Sequence, residues 1–366
     1  MTRTKVTSIG TAAPSHVLTQ NQAAELACEL GDVDQRKERT VNVLYRRTGV
    51  QNRYTCVPYE IAREWYRNSI IQSDSGKPAA DSAGPSTAQR MQWYAEFAPA
   101  IATESACKAI AASDFSAADV THLVTVSCTG FFAPGLDIEL IQRLGLPSTT
   151  QRLQVGFMGC HGAINGLRAA KAICDADPTA VVLLNATELC SIHYHFAWGS
   201  ERLVGNSLFG DGSGSVVLAC SEKETDWKLI DTGSCLIPDS KQAMSWDIGD
   251  LGFEMMLSAK IPDLIRSSLR PWLADWLAQR GETIESIQHW AVHPGGPRVL
   301  DAVEECLELP ENATELSREV LRDYGNMSSP TVLFILERLR ETLAGPCVVL
   351  GFGPGLMAEI ALISNC

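Results

Sequence analysis

The sequence lacks the long apolar runs and the basic charge that would tie a protein to membranes or nucleic acid. None of its apolar runs approaches the roughly 18 residues of a membrane span, and its first ten residues lack the apolar core of a signal peptide. Lys and Arg number 30 against 43 Asp and Glu, a formal net charge of −13 over 366 residues. A chain this acidic repels nucleic acid and anionic membranes, and we therefore expect no nucleic-acid partner. Because the apolar runs are short, we also expect no integral membrane segment.

Close cysteine pairs are also missing. The nearest two of the twelve cysteines, Cys160 and Cys174, are 14 residues apart, and no CxxC occurs. This spacing favours neither a zinc site nor a redox dithiol, so no metal site is predicted. We expect a reduced, cytoplasmic protein in which most cysteines are small buried apolar residues.

Short apolar strings recur at a nearly constant offset and indicate an internal duplication. HLVTVS at 122–127 and HWAVH at 289–293 are offset by 167 positions, as are VVLL at 181–184 and VVL at 348–350. The alternative is that short strand-like strings match by chance. Each half alternates strands with helices, which predicts an α/β fold with two stacked halves in five αβαβα layers.

The duplication also predicts how the chain is divided. We place the halves at 1–225 and 226–366, with a long insertion in the first half within residues 20–115. The stretch QSDSGKPAADSAGPST at 72–87 is rich in Ser, Pro, Gly and Ala, which favours an exposed loop inside that insertion.

One segment suggests a nucleophile. In GFMGCHGAINGLRAAKAIC (156–174), Cys160 stands between glycines at the start of a helix whose apolar residues share one face. A helix amino end favours thiolate over thiol, and glycines let another molecule approach the sulfur. The alternative for Cys160 is a buried structural cysteine.

Two further motifs supply partners for that thiol. His293, in WAVHPGGPRVL, ends a buried strand and enters a Pro-Gly-Gly turn, where α/β proteins place catalytic groups; the alternative is a turn histidine. Asn326, in DYGNMSSPTVLFILERL, precedes a helix as Cys160 does in the other half, and Ser329 and Pro330 are predicted to begin that helix. The duplication therefore brings Cys160 and Asn326 to one pocket, where an amide can stabilise an oxyanion.

Taken together, GCHG, HPGGP, YGNMSSPTV and GFGPG resemble the chalcone and stilbene synthase family of type III polyketide synthases. The resemblance covers nearly the whole chain and includes LFGDGSGSVV and SCTGFFAPGLDIELIQRLGL; MSWDIGDLGFEMMLSAKIP and ELCS are closer to its bacterial branch. It implies a thiolase-like fold, a homodimer and no metal or organic cofactor. It also implies that Cys160 accepts an acyl group from CoA, while His293 and Asn326 hold the malonyl thioester oxygen during decarboxylation.

The resemblance assigns roles to further positions. Phe209 matches a gatekeeper Phe, Met255 stands at a second gatekeeper position where plant members have Phe, and Arg47 and Arg53 fall in the region that grips CoA phosphates. Further substrate contacts are implied at Cys128, Thr129, Ala133, Cys190, His193, Ser328 and Gly353. Because plant members usually carry Met at Ala133 and Thr at Cys128 and Cys190, these smaller side chains predict a cavity open to a medium or long aliphatic acyl-CoA, and a pyrone or resorcinol product. The alternative is that Phe131 or Phe132 fills this space, leaving a short starter.

Three rival functions remain. An initiating ketoacyl synthase shares Cys, His and Asn, although HPGG and GFGPG argue against it. A catalytically inactive thiolase-fold partner subunit is disfavoured by the intact Cys160, His293 and Asn326. A degradative thiolase needs a second catalytic cysteine near the carboxyl end, and Cys347 and Cys366 lie in no suitable motif.

Overall fold

The computed structural model describes residues 4–30, 33–58, 60–61, 63–64, 84–196, 199–224, 226–340, 342 and 344–365. Residues 72–83 of the predicted exposed loop lie outside these ranges, as does Cys366. The strands are β1 (Thr4–Ala12), β2 (His16–Thr19), β3 (Asn52–Thr55), β4 (His122–Ser127), β5 (Gln151–Gly156), β6 (Val181–Leu189), β7 (Asp211–Cys220), β8 (Trp227–Leu236), β9 (Met244–Gly249), β10 (Gly252–Leu257), β11 (His289–Val292), β12 (Pro346–Gly353) and β13 (Met357–Ser364). The helices are α1 (Gln20–Leu30), α2 (Gln35–Arg47), α3 (Thr87–Ala111), α4 (Leu136–Leu144), α5 (Gly162–Ala176), α6 (Ser200–Leu208), α7 (Ile261–Ala278), α8 (Pro297–Leu307), α9 (Glu315–Tyr324) and α10 (Thr331–Leu339).

Nine strands form one continuous sheet in the order β11-β12-β13-β8-β1-β7-β6-β4-β5. The junction between β8 and β1 is narrow, because only Lys5 and Val6 pair with Lys228 and Trp227. In the first half β4 runs parallel to β5 and β6, and in the second half β11 runs parallel to β12. The strands on each side of the junction therefore repeat one pattern, as the duplication predicts.

The helices supply the other three layers. Between the two half-sheets lie α5 and α10, whose Ile164, Leu167, Leu333 and Leu336 belong to one core cluster with the strands. On the outside, α3 and α4 cover the first half-sheet, and α7 and α8 cover the second. The predicted five-layered αβαβα arrangement is confirmed.

Smaller elements cover one end of this body. The antiparallel pair of β2 and β3, together with α1, α2 and α6, packs around a separate cluster that includes Ala24, Val41 and Leu203. A hairpin, β9–β10, lies beside them. Of the helices the structure describes, none combines the length and the apolar character needed to cross a bilayer.

Candidate active site

Cys160 lies on the tight connection between β5 and α5, one residue before His161 at the amino end of the helix. The preceding Gly159 has φ +80°, and a Cβ there would lie 2.2 Å from Pro354 Cδ. Only glycine therefore lets this connection pass so close to the GFGPG turn of the other half. The result is a thiol that is 7% exposed and faces the boundary between the two halves.

Asn326 reaches the same boundary from the second half. Its backbone N–H donates to the Leu208 carbonyl at 2.8 Å, and its backbone carbonyl accepts from the Gly210 N–H at 3.0 Å. Its side-chain Oδ1 accepts from the Ser328 backbone amide at 2.8 Å, where a φ of +58° at Ser328 turns the chain back. Because Oδ1 is occupied, the NH₂ group is the part of the amide left for a ligand.

His293 stands at the carboxyl end of β11, held by a 2.7 Å bond from its amide to the Leu350 carbonyl. The side chain is 1% exposed. Among the described residues, neither ring nitrogen has a hydrogen-bond partner, although both are buried. A buried imidazole with two unused nitrogens is free to exchange a proton or a hydrogen bond with a bound molecule.

The electrostatics differ from the sequence-based expectation of a thiolate. Burial raises the pKa of Cys160 to about 12, and the nearby Glu188 carboxylate adds to this, while hydrogen bonds from the side chains of Ser328 and Asn326 oppose it. Burial likewise lowers the pKa of His293 to about 3. Burial therefore disfavours both the thiolate and the imidazolium, and for Cys160 it opposes the stabilisation that the helix amino end gives to the thiolate.

Glu188 is a site residue that sequence reasoning missed. It is fully buried at the end of β6, and its carboxylate accepts from the amides of Cys128 at 2.9 Å and Thr129 at 3.0 Å. Hydroxyl groups of Thr129 at 2.7 Å and Ser329 at 2.6 Å complete the shell. Ser329 is predicted to begin α10, but the helix begins at Thr331, and the Ser329 hydroxyl instead links the second half to Glu188 of the first half. The available signal was a carboxylate at the end of an otherwise apolar strand, where burial requires partners.

Two cavities meet at Cys160. An entrance cavity of about 410 Å³ is lined by Cys160, His293 and Asn326 at its buried end and by Arg47 at its exposed rim. An inner cavity of about 130 Å³ lies beyond. Four residues line both of them: Cys160, Phe209, Met244 and Met255.

The inner cavity collects most of the other predicted contact residues. Its walls include Cys128, Thr129, Cys190, His193 and Ser328. Most of these residues form hydrogen bonds with other residues of the cavity wall, through their side chains or their backbone groups. The Sγ of Cys128 accepts from the amide of Gly159, the residue before the nucleophile, at 2.9 Å. His193 spans the wall, since its Nδ1 accepts from the Phe253 amide at 3.0 Å and its Nε2 donates to the Thr129 carbonyl at 2.6 Å.

The prediction that Arg53 grips CoA phosphates is wrong. Arg53 is 3% exposed, and its guanidinium donates to the carbonyls of Asn206 at 2.5 Å and Ser207 at 2.8 Å, and also to Gln20. It therefore closes the carboxyl end of α6, where a cation complements free carbonyls and the helix dipole. Arg47, in contrast, is exposed at the rim of the entrance cavity, and Arg298, which sequence reasoning missed, lines the same rim.

Two further residues lie outside both cavities. Ala133 is exposed, because Phe131 turns inward against Phe157 and Phe253 and the chain then leads back to the surface. The substrate contact predicted at Ala133 is therefore not found in the single chain. Gly353 packs on His161 instead of a cavity, and a Cβ there would lie 2.4 Å from the His161 ring. Its role is to let β12 pass the active-site turn.

Within the described part of the chain, no three His, Cys, Asp or Glu side chains are grouped so that they could hold a metal ion. The chemistry that the site itself offers is that of a buried thiol, an adjacent amide donor and an imidazole with free nitrogens. These groups suit acyl transfer to sulfur and stabilisation of a developing oxyanion.

Comparison with known proteins agrees with this chemistry. Residues 2–222 match the family model for the N-terminal domain of chalcone and stilbene synthases, and residues 228–366 match that for the C-terminal domain. A 1,3,6,8-tetrahydroxynaphthalene synthase of Streptomyces peucetius subsp. caesius is 32% identical over 98% of this chain and 93% of its own length. An alpha-pyrone synthesis polyketide synthase-like protein, Pks18, of Mycobacterium tuberculosis is 29% identical over 97% of this chain and 89% of its own length.

Two solved structures of type III polyketide synthases have the same fold as this chain. PKS-I from the brown alga Ectocarpus siliculosus superposes with a TM-score of 0.87 at 27% identity, covering 99% of this chain and 98% of that one. The C-terminal type III polyketide synthase domain of Steely1 from Dictyostelium superposes with a TM-score of 0.89 at 23% identity, covering 99% of both chains. The second likeness supports the fold alone.

Proposed function

The chain belongs to the chalcone and stilbene synthase family of type III polyketide synthases, and we propose that it extends a medium or long aliphatic acyl-CoA with malonyl-CoA and cyclises the product to a pyrone or resorcinol. The observation that carries the proposal is the position of Cys160 at the meeting point of two cavities, with His293 and Asn326 on the entrance side. In this scheme the half 1–225 supplies the nucleophile, and the half 226–366 supplies the other two groups.

Loading is a thioester exchange. The Sγ of Cys160 attacks the carbonyl carbon of the acyl-CoA and forms a new C–S bond, while its proton passes to a ring nitrogen of His293. The bond between that carbon and the CoA sulfur breaks, and the leaving thiolate takes up the proton. His293 acts as the general base that accepts the thiol proton as the new C–S bond forms.

Extension begins with malonyl-CoA in the entrance cavity. The NH₂ group of Asn326 and a ring N–H of His293 donate to the thioester oxygen, so that loss of carbon dioxide leaves the electron pair as an enolate. The enolate carbon attacks the Cys160 thioester, the C–S bond breaks, and the chain returns to CoA with two more carbons. A neutral amide suits this task, since it stabilises the enolate without protonating its carbon.

The inner cavity supports the choice of an aliphatic starter. Cys128 and Cys190 in its wall are small, and Leu18 and Leu26 extend it with apolar surface. An alkyl chain gains roughly 0.8 kcal/mol for each methylene it buries there. Arg47 and Arg298 at the rim supply positive charge for the CoA phosphates, which accounts for polyanion binding by a chain of net charge −13.

We also propose a cytoplasmic homodimer that uses no metal or organic cofactor. In the described part of the chain β5 ends the sheet and pairs with β4 alone, and Leu153 and Met158 beside that edge are 45% and 39% exposed. An open strand edge with exposed apolar side chains is suited to pairing with a second copy. The proposal of a reducing compartment rests on the sequence spacing of the cysteines, which gives no disulfide framework. Light scattering should give twice the chain mass for the wild type and the single mass for Leu153→Glu.

Product analysis tests the function. The enzyme is incubated with malonyl-CoA and acetyl-, hexanoyl-, decanoyl- or palmitoyl-CoA, and the products are identified by mass spectrometry. We expect products with two or more added ketide units and a kcat/KM that rises with chain length until the inner cavity is full. Products with one added unit would favour the initiating ketoacyl synthase, and no turnover together with an unreactive Cys160 would favour an inactive partner subunit.

A further inference from the structure

Helix α2 carries an unusual stripe of positive charge. Arg36, Arg39, Val43, Arg46 and Arg47 are all exposed, and Val43 is 44% exposed. At 100° per residue these five positions, which we term the α2 stripe, fall within about a third of the helix circumference. Its buried residues, Val41 and Tyr45, lie on the opposite face. The stripe is therefore the solvent side of α2.

Acidic neighbours of the stripe are few in the described part of the chain: the carboxylate of Asp34, which caps the helix, lies close enough to Arg36 for the two charges to attract each other. None of its four arginines forms an ion pair there, whereas Arg266, Arg318 and Arg338 elsewhere on the surface each do. Glu38 of the same helix points about 140° away from Val43. In a chain with 13 excess acidic residues, four unpaired arginines on one face form a local field that attracts acidic partners.

The stripe also leads to the active site. Its carboxyl end, at Arg47, is at the rim of the entrance cavity, which Arg298 also lines. Its other end, Arg36, lies about 16 Å further along the helix axis, or about three turns. A CoA headgroup held between Arg47 and Arg298 does not extend along three turns of helix, so Arg36 and Arg39 are placed for something larger than CoA.

From these observations we propose that the α2 stripe docks an acidic acyl carrier protein, which delivers a starter thioester through the entrance cavity. This inference rests on the proposed function, because the carrier donates to Cys160 in the same exchange as acyl-CoA. A carrier protein bears its acyl group on a pantetheine arm like that of CoA, so one cavity serves both donors. A membrane surface fits less well, since Val43 is the one exposed large apolar side chain of the stripe and interfacial helices insert several.

The test compares two donors of one acyl group. Steady-state kcat/KM is measured with decanoyl-CoA and with a decanoyl-loaded bacterial acyl carrier protein, at low salt, for the wild type and for Arg36→Glu/Arg39→Glu. We expect the double variant to lose at least about tenfold with the carrier protein and less than about twofold with decanoyl-CoA. Raising the salt concentration to about 0.5 M should shrink the difference between the two proteins.

Single variants with the same change of net charge separate docking from general charge. Arg39→Glu should lower kcat/KM with the carrier protein, whereas Lys223→Glu, in the loop between β7 and β8, should leave both donors within twofold of wild type. An equal loss with both donors, or no loss with the carrier protein, would overturn the docking proposal while leaving the polyketide synthase function standing. If the wild type extends neither donor, the proposed function fails and the docking proposal with it. Binding of the wild type but not the variant to phosphatidylglycerol vesicles, with unchanged carrier kinetics, would assign the stripe to a membrane instead.

Discussion

Protonation of His193 is a perturbation whose cost follows from the structure. The Phe253 amide can only donate, so Nδ1 must be the bare nitrogen and Nε2 must carry the proton given to the Thr129 carbonyl. A second proton would sit on Nδ1 and point at the Phe253 N–H inside the wall of the inner cavity. Burial lowers the pKa of His193 to about 3, from an ordinary value of 6.5. The unfolded chain therefore gains this proton below pH 6.5 and the folded chain only near pH 3, so stability is lost as pH falls through that window.

The loss can be measured with two variants. At about 1.4 kcal/mol per unit of pKa difference, His193 removes about 2 kcal/mol of unfolding free energy between pH 7 and pH 5. His193→Gln can keep both hydrogen bonds and should lose about 2 kcal/mol less over this range. His193→Phe leaves two backbone groups unpaired and should be less stable at pH 7, but with the same reduced pH dependence. Urea unfolding followed by tryptophan fluorescence gives all three values, and equal losses in the three proteins would refute the reasoning.

Three further predictions concern the reaction and its substrates. Asn326→Ala should still accept an acyl group on Cys160 but decarboxylate malonyl-CoA roughly 10²–10³-fold more slowly, measured by carbon dioxide release; unchanged release would remove Asn326 from the mechanism. Arg53→Met should lower the unfolding free energy by roughly 3 kcal/mol or more in urea with an unchanged KM for malonyl-CoA, whereas Arg47→Met should raise that KM about 3–10-fold at unchanged stability. Cys190→Phe should fill the inner cavity and lower kcat/KM for decanoyl-CoA roughly a hundredfold relative to hexanoyl-CoA, since about four methylenes lose their site; an unchanged ratio would place the alkyl chain elsewhere.

The duplicated architecture is the feature that sequence predicts best. Strands and helices at a constant offset indicate two equivalent halves, and equivalent halves place the residues before α5 and α10 at one boundary. From this equivalence the sequence predicts that Cys160 and Asn326 lie together. The sequence does not predict that Oδ1 of Asn326 accepts from the Ser328 amide, because this bond depends on a positive φ at one residue.

The predictions that differ from the structure do so for one physical reason. Arg53 and Arg47 belong to one basic stretch, and charge alone does not distinguish a guanidinium that closes a helix end from one that faces solvent. Ala133 was placed by comparison with larger residues, but the inward turn of Phe131 decides where its neighbours point. The pKa of Cys160 depends on its burial and on Glu188, a residue 28 positions away in sequence. Each outcome is set by tertiary contacts that no local pattern contains.

The proposed function depends on Cys160 carrying the acyl chain. It is tested most directly by incubating the protein with decanoyl-CoA alone, digesting it, and locating the added decanoyl mass by peptide mass spectrometry. We expect one decanoyl group per chain on the peptide that contains Cys160, lost in Cys160→Ala and retained in Asn326→Ala. A decanoyl group on any other of the twelve cysteines, or none on a protein that still makes polyketide, would contradict the account.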